Sequence, residues 1–312
     1  MAYTDREDLN YLGQLRLIGQ NQTPFYTLIG GRAKTYKAFE FPINQPYELQ
    51  AASQDTQSEA TAAAAGTPVT TTRGQDKNTC QIMKKDVAVS IPKQSTAGEF
   101  SGVTIAGEPQ PVQDEFEFQK NTQMRQLAID IEYSFIQGTY VATTKAPAVN
   151  QKTRGIIEAT STNAVAAGGA GLSKDIIDQL LRTMWASGAI MTDPIIMVNA
   201  FQKQQFSDIY GIAPSSRTVG GLNIGTIETD FGPVDIALNP QMPTDTVEVV
   251  ELSVCYPVFC PVPAMAGIPA GLMVFVNTAI TAAQVGGFWY TQIGLDYGEE
   301  KFHGKITGLA TS

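Results

Sequence analysis

The stretch PVQDEFEFQKNTQMRQLAIDIEYSFIQG, residues 111–138, decides the fold. Pro109 and Pro111 stand at its start, where a missing backbone N–H costs a helix little. Asp114, Glu115 and Glu117 fill the first turns, where the helix dipole favours negative charge. Val112, Phe116, Met124, Leu127, Ile131 and Phe135 recur at spacings of three, four or eight, which makes one apolar stripe on a helix ending at Gly138. About 26 residues at about 1.5 Å each give a rod of roughly 40 Å. Such a rod outruns an ordinary compact domain, although a long core helix of an enzyme would carry the same stripe.

Upstream, the chain alternates between segments that can pack and segments that cannot. Residues 1–33 read as an arm, with a short helix over 10–18 and a second brief apolar element from Thr23-Pro24-Phe25 to Gly30-Gly31. An arm this poor in apolar residues needs a surface to lie on. Residues 36–43, YKAFEFPI, alternate as a strand, with Phe39, Phe41 and Ile43 on one side. Residues 79–91 alternate again, with Val87, Val89 and Ile91 on one face. Between them lies AASQDTQSEATAAAAGTPVTTTRGQD, residues 51–76, in which Val69 is the only large aliphatic side chain. That segment has no means of making its own core. Two strands carrying a polar tip describe a protruding hairpin; a plain surface loop is the competing reading.

Downstream, residues 139–171 are polar and Gly-rich, with 154–157 the one ordered-looking piece. Ser173 then caps a helix whose inner side takes Ile176, Ile177, Leu180, Leu181, Met184 and Trp185, and Gly188 ends it. Pro194 to Val198 is a short apolar strand, and Asn199 caps a helix over 200–210 closed by Gly211. Thr226–Asp230 and Val234–Leu238 are strands joined at Phe231-Gly232-Pro233. Further strands follow at Val247–Leu252, Phe288–Leu295 and Lys301–Thr307.

Composition narrows the function. The chain of 312 residues is 43% hydrophobic, so it buries a full core, but only 16% charged, below the roughly 25% of an ordinary soluble domain. Two explanations fit: much of the surface is covered by other chains, or much of the chain lies in uncharged loops. The net charge of −9, with no block of Lys and Arg, argues against sequence-level nucleic-acid binding. Met1 to Asn10 carries four charges and no apolar core, so it is no signal peptide. The uncharged run from Leu252 to Leu295 is interrupted by Pro257, Pro261, Pro263 and Pro269, which reads as buried strands and loops rather than a membrane span.

Chemistry-bearing residues form no constellation. Cys80, Cys255 and Cys260 are too few and scattered for a disulfide framework and read as buried thiols. The only histidine, His303, has no second ligand for zinc, and a triad would depend wholly on it, so it reads as a hydrogen-bonded surface or interface residue. Gly168-Gly169-Ala170-Gly171 precedes a helix but lacks the Lys-Ser/Thr of a phosphate loop, and no strand precedes it. Asp230-Phe231-Gly232 matches a kinase triplet only by its letters. Glu299 and Glu300 are adjacent and would point to opposite faces of a strand. No catalytic, cofactor-binding or metal-ligating residue is expected.

The order of parts resembles the major capsid fold of tailed phages, the Hong Kong 97 type. The resemblance is carried by Thr23-Pro24-Phe25, by Thr229 to Val234 with Asn239-Pro240-Gln241-Met242-Pro243, and by the ending YGEEKFHGKITGL, residues 297–309. It implies an α+β chain with an N-terminal arm (1–33) and an extended hairpin loop (34–92). A peripheral domain (93–171) with its spine helix (109–138) follows, then an axial domain (172–250) and a return to the peripheral domain (251–312). It further implies a virion shell protein assembled in the bacterial cytoplasm as hexamers and pentamers, with separate scaffolding, portal or decoration proteins. DNA would be enclosed without sequence-specific binding, and no membrane would be involved. Two family features are missing or unassigned. No long scaffolding segment is expected ahead of the arm, and Lys77, Lys84 and Lys85 near the hairpin have no identifiable cross-link partner. The rival readings are an encapsulin-like nanocompartment, which shares the fold, and, from other classes, a surface adhesin or an enzyme.

Overall fold

The computed structural model describes residues 22–43, 47, 52, 54, 58–62, 71, 73–92, 115–144, 149–210, 216–219, 222–278 and 283–311. The helix starts expected at 10–18 and at Pro109 and Pro111, the stripe residue Val112 and the closing Gly211 lie outside them.

In chain order the elements are α1 (Pro24–Ile29), β1 (Lys34–Thr35), β2 (Glu40–Pro42), α2 (Glu59–Ala62), β3 (Lys77–Thr79), β4 (Gln81–Ser90) and α3 (Glu115–Gln137). Then come α4 (Ile156–Ala159), β5 (Ala164–Ala166), α5 (Lys174–Ala186), β6 (Pro194–Val198), α6 (Ala200–Tyr210), β7 (Ser216–Val219), β8 (Leu222–Thr229), β9 (Gly232–Leu238) and β10 (Val247–Glu251). The last four are β11 (Tyr256–Phe259), β12 (Met273–Asn277), β13 (Gln284–Asp296) and β14 (Gly304–Thr307).

The long strand β13 organises the first sheet. Along one edge it pairs antiparallel with β4, from Gln284↔Ser90 to Ile293↔Gln81. Along the other it pairs with β12 and then β11, and β1 adds parallel to β11. Because side chains alternate across a strand, β4 turns Met83, Val87 and Val89 inward and leaves Ile82, Lys84 and Asp86 outward. The helix α3 lies on the inward side. Trp289 Nε1 donates to the Lys120 carbonyl at 2.9 Å, Phe275 sits between Phe116 and Trp289, and Lys85 pairs with Asp130. On the outward side the proline-rich run has a packing role. The bridges Val262↔Gly271 and Met265↔Ile268 fold it into a small excursion, and Val262 and Ile268 join Val274, Val276, Phe288 and Tyr290 in a separate apolar cluster.

The described part of α3, 23 residues, spans about 34 Å at about 1.5 Å per residue. Its stripe is real in the C-terminal half, where Leu127, Ile131 and Phe135 are fully buried. Met124 departs from the expectation, at 45% exposed. The buried face also broadens to Glu132 and Ile136, because the helix end is enclosed by α1 on one side and a second sheet on the other.

That second sheet has seven strands in the order β5-β14-β10-β6-β9-β8-β7. Its two faces serve two cores. Ile195, Met197, Ala237 and Val250 join the core around α3, whereas Ile196, Val198, Ile236, Val247 and Val249 pack with Leu180, Leu181, Met184 and Phe206 of α5 and α6. Every residue of β6 is therefore buried, as its unbroken apolar run predicts. The sheet takes in residues 164–166 and 304–307 as well as strands from 172–250. The Ser173 cap forms, with Oγ accepting from the Ile176 N–H, and Asn199 Oδ1 accepts from the Gln202 N–H. The hairpin β8–β9 turns at Asp230-Phe231, with Gly232 at φ +119.

Several expectations need correction. Trp185 is not on the inner side of its helix: Leu181 and Met184 fill that face, and Trp185 is 67% exposed. A strand, β5, does precede Gly168, but Gly168 and Gly169 only turn the chain at positive φ toward α5. Residues 139–171 hold more order than 154–157 alone: α4 and β5 form, and Thr153, Thr160 and Asn163 are buried. Glu299 and Glu300 lie at a short 3-10 turn ahead of β14, not on a strand, and Glu300 accepts from both Ser161 and Thr162.

Candidate assembly surfaces

The hairpin expected from composition has a short, well-anchored root. β2 pairs only with β3, through Glu40↔Thr79, Phe41↔Asn78 and Pro42↔Lys77, and a further bridge joins Tyr47 to Arg73. The second alternating run does not extend the hairpin. After Cys80 it leaves for the β13 edge, so among the described residues the hairpin's return strand is 77–79. Tyr47 is 63% exposed, and Ser58, Glu59, Ala62, Thr71 and Arg73 are exposed too.

A buried polar network fixes that root to the body. Asn78, fully buried, donates to the carbonyls of Arg154 and Leu295 and accepts from the N–H groups of Arg154 and Thr79. Tyr297 donates its hydroxyl to Asp76 at 2.7 Å, and the Arg154 guanidinium reaches both Tyr297 and Asp76. The Asp76 carbonyl accepts from the Ile43 N–H. Burial, with the Asp76 bond, pushes the Tyr297 hydroxyl well above its ordinary range, so it stays a donor. Asn78, the fully buried member, has every side-chain donor and acceptor satisfied, the condition under which a buried polar group fixes one geometry.

The second half of the arm is held by its own subunit. Phe25 and Ile29 are fully buried, with Phe25 edge-on to Phe135. Glu132 of α3 accepts from the N–H groups of Phe25 and Tyr26, at 2.9 and 2.7 Å, and from Asn239 Nδ2. Burial pushes the Glu132 carboxyl up to about 6, against these donors, which favour the anion. One carboxylate thus joins the arm, α3 and the strand end after β9. A glutamate at that place on a helix gives no sign of this from its spacing; only the fold brings residues 25, 132 and 239 together.

His303 is neither at the surface nor poised for chemistry. It is fully buried, its Nδ1 accepts from the Glu251 N–H at 3.2 Å, and its Nε2–H faces the Tyr297 carbonyl at 2.6 Å. Only the neutral ring serves both partners. Burial outweighs the Tyr297 carbonyl and Glu300 and pushes the imidazole down to about 4. In the unfolded chain it titrates near about 6.5. Its contribution is therefore complete above pH about 6.5 and is lost as pH falls toward 4, about 3 kcal/mol in all. Glu132, raised to about 6, acts oppositely and gains stability as pH falls from about 6 to about 4.5. Urea melts of the unassembled subunit at pH 7 and pH 4.5 check this. The difference in stability between wild type and His303→Gln is expected to shrink by about 2–3 kcal/mol on acidification; an unchanged difference would refute it.

The thiols sit apart from any such role. Cys80 and Cys255 are buried and Cys260 half-buried, all three unpaired. Burial pushes the Cys80 thiol up to about 12 and Cys255 higher still. Lys77 pairs with Glu40, Lys84 with Asp86 and Lys85 with Asp130. Among the described residues no group of three or more His, Cys, Asp or Glu is placed to hold a metal, and no helix is long and apolar enough to cross a membrane.

The arrangement is an α+β body with a rooted hairpin, a docked arm helix and a long helix beneath a sheet, and known proteins share it. The fold is similar to the cyanophage A-1(L) capsid asymmetric unit, with TM-score 0.64 and 11% identity over 99% of this chain and 98% of that one. It is similar to the holo-SrpI encapsulin complex from Synechococcus elongatus PCC 7942, with TM-score 0.62 and 11% identity over 100% and 98%. It is similar also to the capsid of a native GTA particle, with TM-score 0.61 and 12% identity over 98% and 96%. No curated protein matches the sequence. These structures establish the Hong Kong 97 fold, and the sequence carries the assignment further, because the family model for the SU10 major capsid protein matches residues 2–310. The chain belongs to the SU10 major capsid protein family.

Proposed function

We propose that copies of this chain join as hexamers and pentamers into an icosahedral shell around phage DNA, with no catalytic step of their own. Family membership makes the chain a structural protein of the phage virion. The observation that supports the finer reading is the hairpin: a root held by Asn78, Arg154 and Tyr297 carries a polar tip with almost nothing to bury. Such a tip gains order by lying on a neighbouring copy, and closed symmetry supplies one at every position.

In this division, residues 34–92 reach over the neighbour and 172–250 form the axial domain that meets its copies at capsomer centres. β5 and β14 extend the sheet of that axial domain. Residues 1–33 are the arm, and 93–171 with 251–312 form the peripheral body. Scaffolding, portal or decoration proteins are separate chains. The net charge of −9 leaves the enclosed DNA unbound by sequence.

Negative-stain microscopy and size-exclusion chromatography of the purified protein test the reading. Shells, hexamers and pentamers are expected. A stable monomer that turns over a substrate would overturn it. Shells recovered from phage-producing cells with an enzyme inside and no DNA would favour the encapsulin reading instead.

A further inference from the structure

We infer that the C-terminal end of α5 is a contact surface for a second copy of this chain, with Trp185 as its anchor. The inference rests on the shell reading above. The helix buries Ile177, Leu180, Leu181 and Met184 almost completely, yet Trp185, on the shoulder of the same stripe, is 67% exposed. Aromatic side chains carry a large apolar area at low entropic cost, and Trp is enriched among interface anchors.

The turn after the helix holds this surface in place. Gly188, at φ +81, donates its N–H to the Trp185 carbonyl, and the Ala189 N–H donates to the Met184 carbonyl. That closure leaves Ala186, Gly188 and Ile190 exposed in the same turn, with Ile190 at 49%. An anchor on a fixed turn loses little freedom when it is covered.

Charge points to the occupant. Arg182, exposed, lies one turn before Trp185, and its Nε donates to the Asp178 carbonyl. Asp193, also exposed, follows Ile190. Along the chain a cation thus precedes the apolar centre and a carboxylate follows it, an order that is self-complementary when two copies run antiparallel. Two copies meeting antiparallel about a two-fold axis set each Arg182 against the other copy's Asp193 and cover both Trp185 side chains. A chain of net charge −9 repels its copies elsewhere, so contacts need such local pairing.

The test measures the threshold protein concentration for shell formation by light scattering and microscopy. Trp185→Ala is expected to raise it about tenfold or more, with the melting temperature of the unassembled subunit nearly unchanged. Arg182→Asp is expected to raise it as well, and Arg182→Asp with Asp193→Arg to bring it back. A wild-type threshold for Trp185→Ala, or a double charge variant no better than the single, overturns the inference while leaving the shell reading intact. If Trp185→Ala does not fold, the charge exchange alone decides. If the wild-type chain forms no assembly at all, the shell reading falls and this surface falls with it.

Discussion

A chain lacking residues 51–70, closed by a short Gly-Ser turn, is expected to fold and to lose shell formation. The segment holds one large aliphatic residue, Val69, and its described positions Ala52, Gln54, Ser58, Glu59 and Ala62 are exposed. No apolar core goes with it, so subunit stability should change by about 1 kcal/mol or less, the usual effect of surface changes and loop shortening. Assembly is a different matter. A stable interface between subunits buries about 1,200–2,000 Å² or more, and a hairpin laid on a neighbour is a large share of it. The deletion must stop before Arg73. Asp76 accepts from the Tyr297 hydroxyl, and its carbonyl accepts from the Ile43 N–H, so removing it would loosen the root and confuse misfolding with misassembly. Size-exclusion chromatography and negative-stain microscopy read the result, with a thermal melt as the folding control. Normal shells from the shortened chain would show that the tip is not an intersubunit element.

The parts of this fold that could be read in advance are those whose cause is local. Ser173 and Asn199 each cap the helix that follows, because an N-cap acts within three residues. The run Pro194 to Val198 is a central strand because five apolar residues leave no solvent face. The turn at Asp230-Phe231-Gly232 needs a residue that tolerates φ +119, and glycine is there. The hairpin was legible through what it lacks, since a segment without apolar residues between two alternating runs has nowhere of its own to fold.

What could not be read depends on partners distant in the chain. Periodicity puts Met124 and Leu127 on one stripe, but the neighbouring elements cover the two unequally, so one is 45% exposed and the other fully buried. Periodicity likewise gives Trp185 to the inner face, where Leu181 and Met184 already occupy the space. His303 offered only its rarity; its two backbone partners, at 251 and 297, arrive through β10 and the turn before β14. Glu132 carries no signal in its helical spacing, and it grips a peptide segment more than a hundred positions away. Each is a property of packing between elements rather than within one.

The largest effect on the subunit itself is expected at the joint where α3 ends. Gly138 and Gly155 meet there, with the Gly155 N–H donating to the Gly138 carbonyl at 2.8 Å. A Cβ on Gly155 would stand 2.5 Å from the Gly138 nitrogen and 2.7 Å from the Ile136 carbonyl oxygen. Both neighbours are backbone, so neither can turn aside as a side chain would. Gly155 has φ −82, which any residue adopts, so the demand is for space and not for conformation. Admitting alanine means separating the helix end from the 153–156 segment, which breaks their bond and displaces Arg154. Arg154 in turn holds Asn78 and Asp76, so the hairpin root moves with it. Overpacking against fixed backbone costs about 3 kcal/mol or more, and Gly155→Ala is expected to lower the melting temperature by roughly 5 °C or more, or to prevent soluble expression. Gly168→Ala is the control. That glycine sits at φ +61 with open space around it, so its cost is only the left-handed backbone, about 1 kcal/mol. Equal melting temperatures for the two variants would show that the helix end and the hairpin root are not locked together through this contact.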